Sequence, residues 1–147
     1  MISDAYVAGF FDGEGSFSIH IARNKSGSVP RVRLAISNLC KEPLVQIQRR
    51  WGGSLNQQSS GVWMLCLNGQ SIVAFVERTY QHLLVKRDAA QLAVACCLAT
   101  TRREQFETAL KLHEAIRAGY RVQRSEKAYK EICQTLQEMR EADGRNE

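Results

Sequence analysis

Two carboxylates, Asp12 and Glu14, lie two residues apart near the start of the chain, where the sequence predicts the end of a helix. Ala5, Gly9 and Gly13 recur at every fourth residue, so one face of that helix carries almost no side chain. Glycine inside a helix costs about 0.5–1 kcal/mol relative to alanine, and close approach of a second backbone usually compensates for it. The helix dipole also disfavours negative charge at this end. The pattern therefore predicts a packing face along the helix and a cation bound at its terminal acids.

The resemblance to a known family lies in residues 7–15, which read V-A-G-F-F-D-G-E-G and resemble the LAGLIDADG signature of homing endonucleases. The alanine, the two internal glycines and both acids fall in register with that signature. Residues 16–19 then begin an alternating strand, as the family pattern requires. The other interpretation is a buried helix with a glycine-rich end, in which residues 12–15 form only a turn.

The resemblance implies a role for each acid and for one lysine. In the family the last acid of the motif binds the metal, so Glu14 is the expected ligand and Mg²⁺ the expected cofactor, while Asp12 is expected to have a supporting role. The family also places a lysine near the scissile phosphate, and Lys86 is the matching candidate. An ordinary surface lysine is the alternative. The glutamine expected near Cys40 is missing, which puts that accessory function in doubt.

The chain contains one copy of the motif and no internal repeat. One motif per chain implies a twofold homodimer in which this helix packs against its symmetry mate. The two Glu14 carboxylates would then meet beside a groove between two sheets. The expected interface residues are Ala5, Ala8, Gly9, Asp12 and Gly13.

Length and charge favour one domain with a polyanionic partner. The chain has 147 residues, a formal net charge of +5 and a pI near 9.1. This length suffices for one hydrophobic core, and the basic balance suits a nucleic acid. We expect a single domain over residues 1–142, with its C-terminal helices at about 101–142 and a frayed tail at 143–147.

The five cysteines are scattered, and none forms a C-x-x-C pair. This favours core-filling thiols in a reducing, intracellular compartment over disulfides or a structural zinc site. The longest strongly apolar run, residues 92–99, is too short to cross a bilayer, and no signal peptide is recognisable. The sequence does not distinguish a chloroplast or mitochondrion from a bacterial cytoplasm.

Alternating apolar residues predict two antiparallel hairpins, at 16–24 with 30–37 and at 54–59 with 62–67. Periodic apolar residues predict helices at 41–51, about 69–80, 86–99, 101–119 and 125–140. The order predicts an α+β, LAGLIDADG-like fold with a four-stranded antiparallel sheet covered by helices on one face.

The outward positions of this sheet are candidates for reading base edges in the major groove of duplex DNA. Polar solvated strands are common, so the pattern alone is weak. Two arginines beyond the sheet, Arg121 and Arg124, are candidates for phosphate contact. The candidates on the sheet are Ser18, His20, Asn24, Arg31, Arg33, Ser37, Ser54, Asn56 and Gln58.

The resemblance thus implies a homing endonuclease that cuts both strands of a long, pseudo-palindromic DNA site and promotes intron mobility. The alternative is a non-cleaving relative, either an intron RNA maturase or a DNA-binding regulator. A third possibility is a dimeric structural protein with a basic surface. Retention of Glu14 argues for the enzyme, whereas the missing glutamine near Cys40 argues mildly for the binding protein.

Overall fold

The computed structural model describes residues 1–119 and 126–145. Within these ranges the chain alternates helices with two hairpins and ends in a helical pair. The elements are α1 (Asp4–Glu14), β1 (Gly15–Asn24), β2 (Gly27–Asn38), α2 (Lys41–Trp51), β3 (Ser54–Gln57), β4 (Trp63–Asn68), α3 (Gln70–Thr79), a 3₁₀ turn (Tyr80–His82), α4 (Arg87–Leu98), α5 (Arg102–Gly119) and α6 (Glu126–Arg145).

Helix α1 carries the motif and is fixed at its start by a cap and by ion pairs. Ser3 is the N-cap, and its Oγ accepts a hydrogen bond from the Tyr6 amide at 3.1 Å. The Asp4 carboxylate pairs with Arg50 of α2 and, at 3.0 Å, with Arg78 of α3. These pairs join the N-terminal turn of α1 to two neighbouring helices.

The four strands form one antiparallel sheet in the order β1-β2-β4-β3. Gly15 lies opposite Ile36, which in turn lies opposite Leu65. The predicted alternation is confirmed, because the inward positions are buried while their neighbours face away from the helices. The fully inward residues are Phe17, Ile19, Val32, Leu34, Ile36, Leu65 and Leu67.

An aromatic cluster joins α1 to the sheet and to the helices beside it. The Phe11 ring centroid lies 5.1 Å from that of Phe17 and 5.4 Å from that of Phe75, both edge to face. Trp51 packs on Phe75 at 5.0 Å. Burial of each such side chain stabilises the fold by about 1.5–3 kcal/mol. The predicted α+β class, with helices over one face of the sheet, is confirmed.

Some boundaries differ from the predictions. Strand β2 begins at Gly27, whose φ of 118° closes a two-residue turn, so the first hairpin is longer than predicted. Strand β3 ends at Gln57 instead of residue 59. Helix α6 continues to Arg145, beyond the predicted end at residue 140, and Asp143 pairs with Arg103.

Helix α5 is capped at its start by two hydrogen bonds. Thr101 Oγ1 accepts from the Glu104 amide at 3.1 Å, and the Glu104 carboxylate accepts from the Thr100 amide at 3.3 Å. Helix α6 packs on α5 and buries Ile132 and Leu136. None of the described helices is long and apolar enough to span a membrane.

Candidate acidic site and nucleic-acid interface

Asp12 holds the chain segment that enters α4. Its Oδ2 accepts hydrogen bonds from the amides of Leu84, at 2.7 Å, and Val85, at 3.2 Å. Its Oδ1 accepts from the Lys86 amide at 3.0 Å. One carboxylate thus accepts three backbone hydrogen bonds from consecutive residues. Asp12 therefore joins the end of the motif helix to a segment more than seventy residues later.

Lys86 lies in the same junction, as the residue before α4 rather than its first helical residue. Its side chain is 4% exposed, and its Nζ donates a hydrogen bond to the backbone oxygen of Asp12. The ammonium also lies 5.7 Å from the centre of the Phe11 ring. The structure thus brings Lys86 to the C-terminal end of α1, in contact with Asp12, which precedes Glu14 by two residues. Because Lys86 is buried, it is not the surface lysine of the alternative interpretation.

Glu14 is the last residue of α1 and is exposed. In the described part of the chain, no hydrogen bond or ion pair involves its carboxylate. The next residue, Gly15, is required for close packing, since an added Cβ would lie 1.9 Å from the Phe11 ring. The sheet therefore begins directly at Gly15 and leaves the Glu14 carboxylate at the junction of helix and sheet.

The donor chemistry of Glu14 fits a hard divalent cation, because such ions prefer carboxylate oxygens. Within residues 1–119 and 126–145, no group of three or more His, Cys, Asp or Glu side chains is arranged to hold a metal. A cation at Glu14 would complete its shell with further oxygen atoms, such as those of backbone carbonyls, water, phosphate or a second copy of the chain.

The small-residue face of α1 is open in the protomer. Ala5, Gly9 and Gly13 are exposed, and a Cβ added to either glycine would meet no atom within 4 Å. The protomer's own packing therefore does not require these glycines. The interface prediction is wrong for Ala8, which is 0% exposed because it faces the core of its own protomer. The carboxylate of Asp12 is likewise engaged within the protomer.

The strand register places the candidate DNA-binding residues on the outer face of the sheet. Ser18 lies opposite Arg33, which lies opposite Asn68, and His20 lies opposite Arg31. Near the other end of the sheet, Ser37 lies opposite Met64, which lies opposite Asn56, while Gln58 bonds the Met64 sulfur at 3.6 Å. Asn24 lies at the hairpin tip, opposite Gly27, and Ser54 lies opposite Cys66.

Charge on this face is of one sign, because none of the four strands contains Asp or Glu. Arg31 and Arg33 are exposed, and among the described residues neither forms an ion pair. Burial lowers the pKa of His20, and the positive charges of Arg33 and Arg31 lower it further. His20 is therefore a neutral imidazole at neutral pH, able to donate one hydrogen bond and accept another.

Asn68 also lies on this face, although it is not among the candidates from the sequence. The structure makes Asn68 the last residue of β4, beside Arg33, and Gly69 the residue that precedes α3. The alternation of Leu65 and Leu67 could have identified it, because every second residue of the strand faces outward.

Three further positions from the sequence analysis remain: the two arginines expected to contact phosphate, and the position where the family has a glutamine. Arg121 and Arg124 fall in residues 120–125, outside the described ranges, so their phosphate contacts stay a prediction. Cys40 is exposed where the resemblance led us to expect a glutamine, and its amide donates to Asn38 Oδ1 at 2.8 Å.

The overall fold is similar to those of solved homing endonucleases. It matches the homing endonuclease I-CvuI in complex with the I-CreI target with a TM-score of 0.71 and 19% identity, covering 90% of this chain and 93% of that chain. It matches an archaeal intron-encoded homing endonuclease complexed with DNA with a TM-score of 0.66 and 17% identity, covering 89% of this chain and 94% of that chain. It matches I-GzeII in complex with its DNA target with a TM-score of 0.64 and 20% identity, covering 86% of this chain and 49% of that chain. This chain therefore spans about half of that protein.

No curated protein sequence matches the chain significantly. Residues 7–85, more than half of the chain, match the family described as LAGLIDADG endonuclease. The matched range begins inside the motif helix and ends beside Lys86, so it includes Asp12, Glu14 and the whole four-stranded sheet. On this match and on the shared fold, the chain belongs to the LAGLIDADG endonuclease family.

Proposed function

We propose that two copies of this chain form a Mg²⁺-dependent endonuclease that cuts both strands of a long, pseudo-palindromic duplex DNA site. The observation that carries the proposal is the exposed Glu14 carboxylate, which no described residue engages, at the end of a helix with an open glycine face. A staggered break at such a site would promote the mobility of a host intron.

Glu14 is the residue that would hold the ion. When bound, Mg²⁺ supplies positive charge that stabilises the charge developing on the scissile phosphate. Glu14 is exposed and directly precedes the first strand of the sheet. Two such carboxylates near a dimer axis would repel each other without a cation between them.

Lys86 would add a second positive charge beside the same phosphate. Its hydrogen bond to the Asp12 backbone oxygen holds the ammonium at the end of α1, and the Asp12 carboxylate holds its backbone. Because this position is set by contacts within the protomer, the charge needs little reorganisation when DNA binds. Lys86 would orient water or stabilise the developing charge.

The dimer is supported by apolar surface next to the open face of α1. Tyr6 is 47% exposed, Leu84 88% and Val85 71%. The amides of Leu84 and Val85 bond Asp12, so their side chains lie beside the end of α1. Contact with a second α1 would cover this surface and would explain why Gly9 and Gly13 are tolerated in a helix.

The outer face of the sheet is the proposed DNA contact, since it is polar and lacks acidic residues. If a dimer neutralises about ten phosphates, the logarithm of affinity should fall with the logarithm of salt concentration at a slope near −9.

The proposal is tested by incubating the protein with a library of randomised duplex DNA and Mg²⁺ and sequencing the cut ends. We expect cleavage at related sites with approximate twofold symmetry. Failure to cut with Mg²⁺, Mn²⁺ or Ca²⁺, despite tight duplex binding, would contradict the enzyme and leave a DNA-binding protein.

The dimer is tested separately by sedimentation of Gly9→Leu beside Gly144→Leu. Both glycines lie in helices with open space around them, so each leucine should improve helix propensity without a clash. We expect Gly9→Leu to shift the protein towards monomer and Gly144→Leu to leave assembly unchanged. Equal behaviour of the two variants would count against an α1 interface.

A second candidate is a non-cleaving relative that binds intron RNA or regulates through DNA. Cys40 favours it, because the family's accessory glutamine is missing there. The comparison of affinities for the intron RNA and for duplex DNA separates the two functions, since tighter RNA binding without cleavage would support the maturase.

A further inference from the structure

The basic end of the sheet's outer face contains two arginines in different surroundings. Arg31 and Arg33 are both on β2, two residues apart, which separates them by about 7 Å along the strand. Both are exposed, and neither has an ion-pair partner among the described residues. Their surroundings differ because β4 ends beside Arg33 and does not reach Arg31.

Arg33 lies in the interior of the sheet. Ser18 of β1 is opposite it on one side and Asn68 of β4 on the other. Both neighbours have short side chains, so the guanidinium extends beyond them. An arginine at the centre of a face that lies in the major groove can reach the O6 and N7 atoms of guanine with two hydrogen bonds.

Arg31 lies where β2 has become the margin of the sheet. Its neighbour on β1 is His20, and beside it lies a cavity of about 500 Å³, lined by Arg33 as well as by Arg31, that extends to Cys97 and Gln105. The pKa of the Cys97 thiol in this cavity is raised to about 11, mainly by burial, and the positive charge of Arg31 opposes this rise.

Arg31 also lines a second cavity of about 320 Å³ together with Arg102. Arg102 is fixed at the rim of this cavity, because its Nε donates to the Ser28 backbone oxygen at 3.1 Å. No Asp or Glu is among the residues lining either cavity. Two guanidinium groups around one acid-free cavity form a surface suited to an anion such as a backbone phosphate.

The widths of the sheet and groove support this division. Strands are about 4.8 Å apart, and the major groove of B-DNA is about 12 Å wide. Only two or three strands fit across the groove. At Arg33, β2 lies between β1 and β4 and would meet base edges, whereas at Arg31 β2 is the margin of the sheet and would meet the phosphates that form the groove wall.

We propose that Arg33 specifies one G·C base pair in each half-site and that Arg31, with Arg102, binds the DNA backbone without reading sequence. This inference rests on the proposed function only in that duplex DNA lies along the outer face of the sheet. Its two arginines provide a matched pair of variants on one strand.

The test is selection of bound sequences from a randomised duplex library, without cleavage, by the wild type, Arg33→Ala and Arg31→Ala. We expect the wild type to select a G·C pair in each half-site. Arg33→Ala should lose that preference, keep the others and bind the selected site about 5- to 150-fold more weakly. Arg31→Ala should keep every preference, weaken binding to selected and unrelated duplexes by the same factor, and reduce the salt slope by about one per protomer.

A charge-preserving variant controls for general loss of basic charge. Arg33→Lys keeps the positive charge but replaces the rigid, planar guanidinium by a flexible ammonium, so the G·C preference should weaken while the salt slope is unchanged. Retention of that G·C preference in Arg33→Ala, or its loss in Arg31→Ala, would overturn the inference.

The outcomes also separate this inference from the proposed function. If the protein binds and selects duplex sequences but does not cut them, the proposed endonuclease activity is contradicted, while the roles of Arg31 and Arg33 can still be tested by binding alone. Duplex cleavage with no selected G·C pair would contradict the arginine roles alone. Absence of duplex binding by the wild type would overturn both.

Discussion

Helix α1 carries carboxylates at both ends, and the fold treats them differently. Asp4, in the first turn, pairs with two arginines, and Asp12, near the last turn, accepts three backbone hydrogen bonds. Glu14 lies only two residues beyond Asp12 but is exposed, and no described residue bonds its carboxylate. Two of the three acids thus position the helix, and one is available to groups outside the protomer. Substitution at each acid should separate these roles.

The largest effect is expected for Glu14→Gln. This variant keeps the shape of the side chain but removes the negative charge that would bind Mg²⁺, so cleavage should fall by at least about a thousandfold. Duplex affinity and the midpoint of denaturant unfolding should remain close to those of the wild type. Cleavage at the wild-type rate, measured in single turnover, would assign the chemistry to another residue.

Lys86→Met should slow cleavage by about a hundred- to a thousandfold, the usual cost of removing one positioned electrostatic group. Methionine retains most of the buried stem of Lys86, which is 4% exposed, while removing the charge. Single-turnover rates beside duplex Kd values provide the measurement. An equal loss in binding and no loss in rate would indicate a structural residue.

Asp12→Ala should destabilise the protein, because it leaves three amide donors without their acceptor. We expect a loss of about 3 kcal/mol in the free energy of unfolding. Glu14→Ala is the matched control, on the same helix end, and should change that free energy by less than about 0.5 kcal/mol. Equal losses of unfolding free energy for the two variants in urea would contradict the claim that Asp12 stabilises the fold and Glu14 does not.

The smallest effect is expected at Asp4, whose carboxyl pKa is held below 3.8 by the hydrogen bond from Arg50 and by the charges of Arg50 and Arg78. A lowered folded-state pKa stabilises the fold above the ordinary pKa, and this contribution is lost as the pH falls through the lowered value. Asp4→Asn should therefore unfold at lower urea than the wild type at pH 7, and the two midpoints should converge below pH 3.8. A difference that persists in acid would mean that the ion pairs are not its cause.

Much of this arrangement was predictable from local patterns, and the remainder depends on distant contacts. The alternation of Phe17 with Ser18 predicts which side of β1 is buried, since it depends only on neighbouring residues. The hydrogen bonds of Asp12 were not predictable, because their donors lie more than seventy residues along the chain. Burial of Ala8 was missed because small residues occur on two sides of α1, and the sequence does not show that only the side with Ala5, Gly9 and Gly13 is open.

The alternation of the strands has a consequence for how this protein can change over time. Residues such as Arg33 and His20 point away from the core, while Leu34 and Ile19 beside them are buried. A substitution at an outward position therefore costs the folded state little, since core packing is untouched. If duplex DNA lies along this face, as proposed, a lineage of such chains can acquire new DNA targets by changing single outward residues while its scaffold and acidic site stay intact.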